Sequence, residues 1–295
     1  MPGFKHILFP IDFSEQNCGM APYVACMASR YGARVTMLHA MELPAAAYPE
    51  WSGYAGGWPA YVSSEEFQAI VDQTKQRVES FLKSEFQNTS TTRLMHEGDP
   101  ARLIVAYAQK ENVDLIMMPT HGYGPFRRFL LGSVTAKVLH DVKCPVWTSA
   151  HVPHTPKQPT GYRNVLCAVD LTSKSQPLVQ WASGFIRDHG ANLKLVHAVS
   201  AGEARGGVDI EGGRFRAFLF DVAREAVAKL QLEAGTNVEV VLEGGEVAAV
   251  VRRAAEEKHA DLVVIGRGVM PERFGRMRTH VYSIVREAPC PVISV

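Results

Sequence analysis

The residues of this chain whose types and spacing suit chemistry lie between Leu115 and Thr135, and the chemistry they suit is anion binding. Leu115 to Met118 is a short apolar run without alternation, as expected of a parallel strand covered on both faces. His121, Gly122, Tyr123, Gly124 and Pro125 then break regular structure. Nine residues beyond Gly122, the pair Gly132 and Ser133 precedes VTAKVL, in which Val134, Val138 and Leu139 keep helical spacing. Ser133 reads as the N-cap of that helix. A helix start presents unpaired N–H groups and roughly half a positive charge, and glycines let phosphate oxygens approach the main chain. The N–H groups of Val134 and Thr135 would share that role. His121, Arg127 and Arg128 could add contacts to phosphate, or be solvated loop residues.

A second cluster gathers around Asp12, at the end of the apolar run HILFPI. A carboxylate there could accept from a base or sugar, or simply cap the following helix. His39 and His197 end two later apolar runs, but no carboxylate or cysteine spacing accompanies them, so structural roles are expected and no metal site is assigned. No Ser-His-Asp order, nucleophile elbow or carboxylate pair is present, and no catalytic residue is assigned.

The elements that must position these residues come twice. Asp12, Gly32 and His39 return as Asp170, Gly190 and His197 at a constant offset of 158 (170 − 12). Asp114 returns as Asp261, an offset of 147, and Cys144-Pro145-Val146 as Cys290-Pro291-Val292, an offset of 146. The missing residues correspond to an aromatic and glycine-rich stretch, 44–62, that only the first copy carries. Each copy alternates strand and helix, which predicts parallel sheets with right-handed crossovers and helices on both faces. A face of Phe67, Ile70, Val71, Val78, Phe81 and Leu82 follows a Ser63–Glu66 capping box, and Phe218, Leu219, Val222, Ala223, Ala226 and Leu230 rebuild it. Asp99-Pro100 opens a third helix. A proline-bearing linker near residue 155 separates domains of 1–152 and 160–295.

This pattern resembles the universal stress protein family, whose nucleotide-binding signature is written G-x2-G-x9-G-[ST]. Gly122, nine residues, Gly132 and Ser133 supply its second half, while Pro119, with no N–H, stands at its first glycine. The P-x-D pair, the G-D-P opening and the closing C-P-V strands belong to the same resemblance. It implies an α/β, Rossmann-like fold of two tandem doubly wound five-stranded sheets in the order 3-2-1-4-5, with the ligand at the switch point. It further implies that Pro10, Ala40 and Met118 line an adenine pocket and that Asp12 contacts the nucleotide. The ligand would be ATP, or AMP or ADP, with Mg2+. The last strands of the two copies would pair as an intramolecular pseudo-dimer, and a homodimer remains open.

The second copy's loop, Gly266 to Thr279, is one residue short, Arg278 replaces the closing glycine and Ala168 replaces Pro10, so this half is expected not to bind ATP. A formal net charge of +1 gives no global attraction for nucleic acid. Five cysteines without close spacing fit a reducing cytoplasm, and no membrane span or leader is expected. The expected function is an ATP-binding regulatory or stress-protective protein with at most slow hydrolysis. The alternatives are an adenine-nucleotide-dependent enzyme and a scaffold without nucleotide.

Overall fold

The computed structural model describes residues 3–41, 64–121, 131–150, 161–199, 211–267 and 276–295. The first half runs β1 (His6–Ile11), α1 (Glu15–Tyr31), β2 (Arg34–Met41), α2 (Ser64–Ser80), β3 (Thr91–Glu97), α3 (Pro100–Lys110), β4 (Leu115–Pro119), α4 (Ser133–Asp141) and β5 (Val146–Ser149). The second runs β6 (Asn164–Ala168), α5 (Ser175–His189), β7 (Asn192–Val199), α6 (Glu211–Ala234), β8 (Glu239–Gly244), α7 (Val247–Glu257), β9 (Leu262–Ile265), α8 (Arg276–Glu287) and β10 (Val292–Ser294).

The strands form one ten-stranded sheet in the order β3-β2-β1-β4-β5-β10-β9-β6-β7-β8. Each half therefore has the order 3-2-1-4-5 expected of it. Neighbours within a half are parallel, whereas β5 and β10 pair antiparallel and fuse the two sheets edge to edge. Central strands are apolar on both faces because both faces are covered. Ile7 and Phe9 enter one core layer and Leu8 the other, following the period of two.

At the junction Trp147 pairs with Ile293, its counterpart at an offset of 146, and both are fully buried. A pseudo-dyad thus passes between them. Trp147 Nε1 donates to the Tyr162 hydroxyl at 2.7 Å, which satisfies both polar groups inside the core. Without this pairing both strands would be open edges.

Helix ends follow the sequence signals in several places. Gly32 and Gly190 close α1 and α5 at φ of +61° and +64°, which costs glycine no steric strain. Asp99 caps α3, its side chain accepting from Arg102 N at 2.7 Å. The apolar faces expected of α2 and α6 are narrower than predicted. On α2, Val71 and Val78 are buried while Ile70 is exposed, and on α6 a line of Ala223, Val227 and Leu230 is buried while Phe218 and Val222 are exposed. Stretch 44–62, Ser63 of the capping box and the linker near 155 lie outside the described residues.

Candidate functional site

Strand order reverses between β1 and β4, and open α/β sheets bind ligands beyond the carboxyl ends of the strands at such a point. Here the β1–β4 ladder covers only Ile7 with Leu115 and Leu8 with Ile116, although β1 continues to Ile11 and β4 to Pro119. Pro10 and Pro119 both lie beyond the last pair, and neither has an N–H with which to continue it. In the second half β6 pairs with β9 as far as Ala168 with Ile265, the last residue of each strand. Ala168 stands where Pro10 does. The switch point is zipped to its end in the second half and left unpaired in the first.

The β1–α1 turn presents Asp12. Asn17, buried on the inner face of α1, accepts from Asp12 N at 2.7 Å and donates its amide to Pro10 O at 3.2 Å. Ser14 is the N-cap, its side chain accepting from Asn17 N. The capping role considered for Asp12 therefore belongs to Ser14. Asp12 is exposed, Oδ1 accepts from Ser14 N at 3.0 Å, and Oδ2 has no hydrogen-bond partner among the described residues. Phe13 holds a strained φ of +62°. Its ring is kept in place by His39 at 4.5 Å, by Phe81 at 5.1 Å and by the Arg77 guanidinium 4.1 Å above it.

The second half repeats the turn, with Leu171 at φ +59°, but uses its carboxylate differently. Asp170 Oδ1 accepts from Thr172 N at 3.0 Å, Thr172 Oγ1 at 2.8 Å and Ser175 Oγ at 2.9 Å. Burial pushes this carboxyl's pKa up, yet the Thr172 and Ser175 hydrogen bonds together outweigh it and hold the group below its ordinary value.

At the other wall, β4 leads into Thr120 and His121, which are both buried. Thr120 O accepts from Gly132 N at 2.8 Å, and Thr120 Oγ1 lies 2.9 Å from His121 Nδ1. His121 is thus buried and is not the solvated residue considered above. Gly132, not Ser133, is the N-cap of α4, with φ −62° and ψ 145° and no side-chain cap bond. The predicted cap is off by one because Gly132 O accepts the first helical bond, from Ala136 N at 2.9 Å. A Cβ on Gly132 would stand 3.1 Å from Thr120 O and 3.5 Å from His121 Cα, so the close backbone approach requires glycine.

The N–H groups of Ser133, Val134 and Thr135 precede that first bond and find no backbone acceptor among the described residues. The Ser133 side chain is exposed. The Thr135 hydroxyl is occupied, donating to Pro119 O at 3.0 Å, so only its N–H is left without an acceptor among the described residues. Pro10 and Met118 are buried at the two strand ends, and Ala40 is half-buried on β2, one strand further out. Gly122, Arg127, Arg128 and the side chain of Arg278 lie outside the described residues.

Sequence reading missed Asn17 and Thr120. Asn17 had a signal, a polar residue on the stripe that also carries Met20, Ala21, Val24 and Met27. Thr120 had none. His39 Nδ1 and His197 Nδ1 each lie 2.9 Å from the carbonyl at the end of the neighbouring first strand, Ile11 and Val169, so both histidines tie strands together. Burial raises the Cys144 and Cys290 thiols to about 11 and about 12, which makes them poor nucleophiles. Among the described residues no group of three or more His, Cys, Asp or Glu could hold a metal ion, and no helix is long and apolar enough to cross a membrane.

Comparison with known proteins follows the same two-fold division. The sequence profile of the universal stress protein family matches residues 3–149 and again 161–295. A universal stress protein of Methanocaldococcus jannaschii is 30% identical over 146 residues, which is 48% of this chain and 80% of that protein. One from Thermus aquaticus is also 30% identical over 146 residues, covering 96% of its own length. Among solved structures, a universal stress protein from Archaeoglobus fulgidus covers the whole chain and 97% of its own, with a TM-score of 0.66 at 20% identity. A protein from Pseudomonas aeruginosa described as functionally unknown gives 0.65 at 16% identity, covering the whole chain and 93% of its own. At such identities the structures speak for the fold alone, and the two profile matches speak for the family. The chain is a tandem member of the universal stress protein family.

Proposed function

We propose that one chain binds one adenine nucleotide, ATP in the first instance, in the first half, and acts as a regulatory or stress-protective module. In this reading domain 1–152 holds the ligand and domain 160–295 does not. The observation that carries it is the asymmetry of the two switch points. In the first half β1 and β4 are unpaired with each other at their ends, the Asp12 carboxylate takes a single bond, from Ser14 N, and three N–H groups of α4 await an acceptor among the described residues. In the second half the ladder is closed and Asp170 Oδ1 takes three hydrogen bonds from its own loop.

The groups present fit such a ligand. Phosphate oxygens would take the N–H groups of Ser133, Val134 and Thr135, with Gly132 and Gly122 allowing close approach. Asp12 would hold the sugar or base end, and Pro10, Ala40 and Met118 would border the adenine. His121 would back the site from its buried position after β4. Mg2+ would arrive with the triphosphate, held by its oxygens and by water, since magnesium is seldom caged by protein alone. AMP or ADP would use the same base and sugar contacts with fewer phosphate bonds. ATP hydrolysis would be slow at most, because none of the residues assigned to the site is a base positioned for an attacking water.

Mass spectrometry of nucleotide released on denaturing the purified chain tests the reading, together with isothermal titration of ATP. Adenine nucleotide at one equivalent is expected. Two sites per chain would refute the one-site assignment. The absence of nucleotide under every condition would favour the scaffold reading, which one observation supports: Pro119, buried and in register with Ser149, removes a donor at the edge of the site.

A further inference from the structure

Arg267 lies two residues beyond the end of β9, and by the 147 offset it is the counterpart of Thr120, the residue after β4. Its main chain is anchored to the sheet, its N–H donating to Val295 O at 2.9 Å. Its side chain crosses into the first half. Nη1 donates to Val142 O at 2.8 Å, and Nη2 donates to Lys143 O at 3.3 Å and to Cys144 O at 2.7 Å. Val142 is the C-cap of α4, so a guanidinium of the second half closes the C-terminal end of the helix whose N-terminus faces the proposed phosphates. A cation is favoured there by the helix dipole, and bonds from a charged donor exceed neutral ones in strength. Burial lowers the Arg267 pKa, and the three carbonyls compensate for that desolvation without neutralising the charge.

A second tether lands on the same helix. Tyr282 of α8 donates its hydroxyl to Ala136 O at 3.2 Å, one turn from the open N–H groups. Tyr282 and Ala136 are counterparts at an offset of 146, and Arg267 and Thr120 at 147, so neither bond has a reciprocal. Thr120 is too short to cross, and its hydroxyl is engaged by His121 and Ser149. The support runs in one direction, from the half with the closed switch point to the half with the open one.

We infer that the second half is the mount for α4, with Arg267 as a positioning residue for the phosphate-facing N–H groups. This rests on the nucleotide reading above and extends it. Released from Arg267, α4 shifts relative to β4, and the phosphate contacts loosen. Asp12 and Pro10, on the other wall, do not move. By linkage, phosphate binding in turn tightens the docking of the two halves.

The test titrates ATP and adenosine into the full chain carrying Arg267→Met, Arg267→Lys or Tyr282→Phe. Arg267→Met is expected to weaken ATP about tenfold, within the usual range of site-to-site couplings, and to leave adenosine within about twofold. Arg267→Lys restores part of the loss, since one ammonium reaches fewer of the three carbonyls. An equal loss of ATP and adenosine, or unchanged ATP affinity in the folded variant, overturns the inference. Amide hydrogen exchange along α4 without ligand decides independently: faster exchange in Arg267→Met supports the mount, and unchanged exchange overturns it. If the wild type binds neither ligand, the nucleotide reading falls while the exchange result still judges the mount. If Arg267→Met does not fold, Arg267→Lys and Tyr282→Phe carry the same comparisons.

Discussion

The Tyr31 hydroxyl lies 3.2 Å from His189 Nε2, and these two residues are each other's counterparts at the 158 offset, meeting where α1 and α5 end. The His189 ring stacks on Phe185 at 4.3 Å, and its Nδ1 is buried without a partner. Burial, helped by the Arg30 charge, lowers its pKa to about 4, with Asp188 opposing. The unfolded chain, with an ordinary histidine near 6.5, then binds more protons between pH 6.5 and 4. Stability should therefore fall as pH drops through that window. Solvent reaches part of the ring, so the loss by pH 4 is about 1–2 kcal/mol. Urea unfolding of wild type and His189→Phe at pH 7 and pH 4.5 checks this, and the variant should show a smaller pH dependence.

Trp147 sits on the pseudo-dyad, so damage there strikes both halves. Trp147→Ala removes a fully buried indole and should cost about 3–5 kcal/mol. Tyr162→Phe keeps the volume but strands the indole N–H, for about 1–3 kcal/mol. Thermal unfolding followed by tryptophan fluorescence would rank the two. Equal, negligible losses would mean that the halves do not depend on this junction.

Gly132 and Ser133 separate structure from ligand contact. Gly132→Ala places a Cβ against the Thr120 carbonyl at 3.1 Å, with strain of about 1–2 kcal/mol whether or not nucleotide is present. A large residue at 132 is consequently a poor probe of steric exclusion. Ser133→Ala is cleaner, because its hydroxyl is exposed and caps nothing. Its melting point should be unchanged, and ATP affinity should fall by about 0.5–1.5 kcal/mol if the hydroxyl bonds a phosphate. Titration and calorimetry on the same preparations read both quantities.

The fold was legible because its signals are local or periodic. Apolar runs, Gly32, Gly190, Asp99-Pro100 and the constant offset of Asp12 with Asp170 each act within a few residues or repeat outright. The site was legible only as a set of positions. That Gly132 and not Ser133 caps α4 depends on Thr120 approaching from another element. That Phe218 and Val222 face solvent depends on how α6 is rolled on the outermost strands. The closed ladder at Ala168 and the reach of Arg267 into the first half are relations between distant segments, which residue spacing does not encode.

Asp12 and Asp170 give a reciprocal experiment, since the same residue at the same turn serves different ends in the two halves. Asp170 is held by Thr172 and Ser175, its carboxyl below the ordinary value, so its contribution to stability is present above the carboxylate range and is lost as pH falls through it. Asp170→Asn should therefore destabilise the chain at pH 7, by about 0.5–1.5 kcal/mol for a largely exposed network losing its charged acceptor. It should leave ATP binding within about twofold, a difference too small to count against ordinary context effects. Asp12 is exposed and makes one local bond to Ser14 N, which an asparagine oxygen can replace. Asp12→Asn should leave stability within about 0.5 kcal/mol. Its effect on binding depends on what Oδ2 does: as an acceptor from ribose or adenine it loses a charged partner, worth about 1.5–3 kcal/mol. Denaturant unfolding and ATP titration of both variants make a two-by-two comparison. Loss of binding in Asp170→Asn, or stability loss without binding loss in Asp12→Asn, would reverse the assignment of the ligand to the first half.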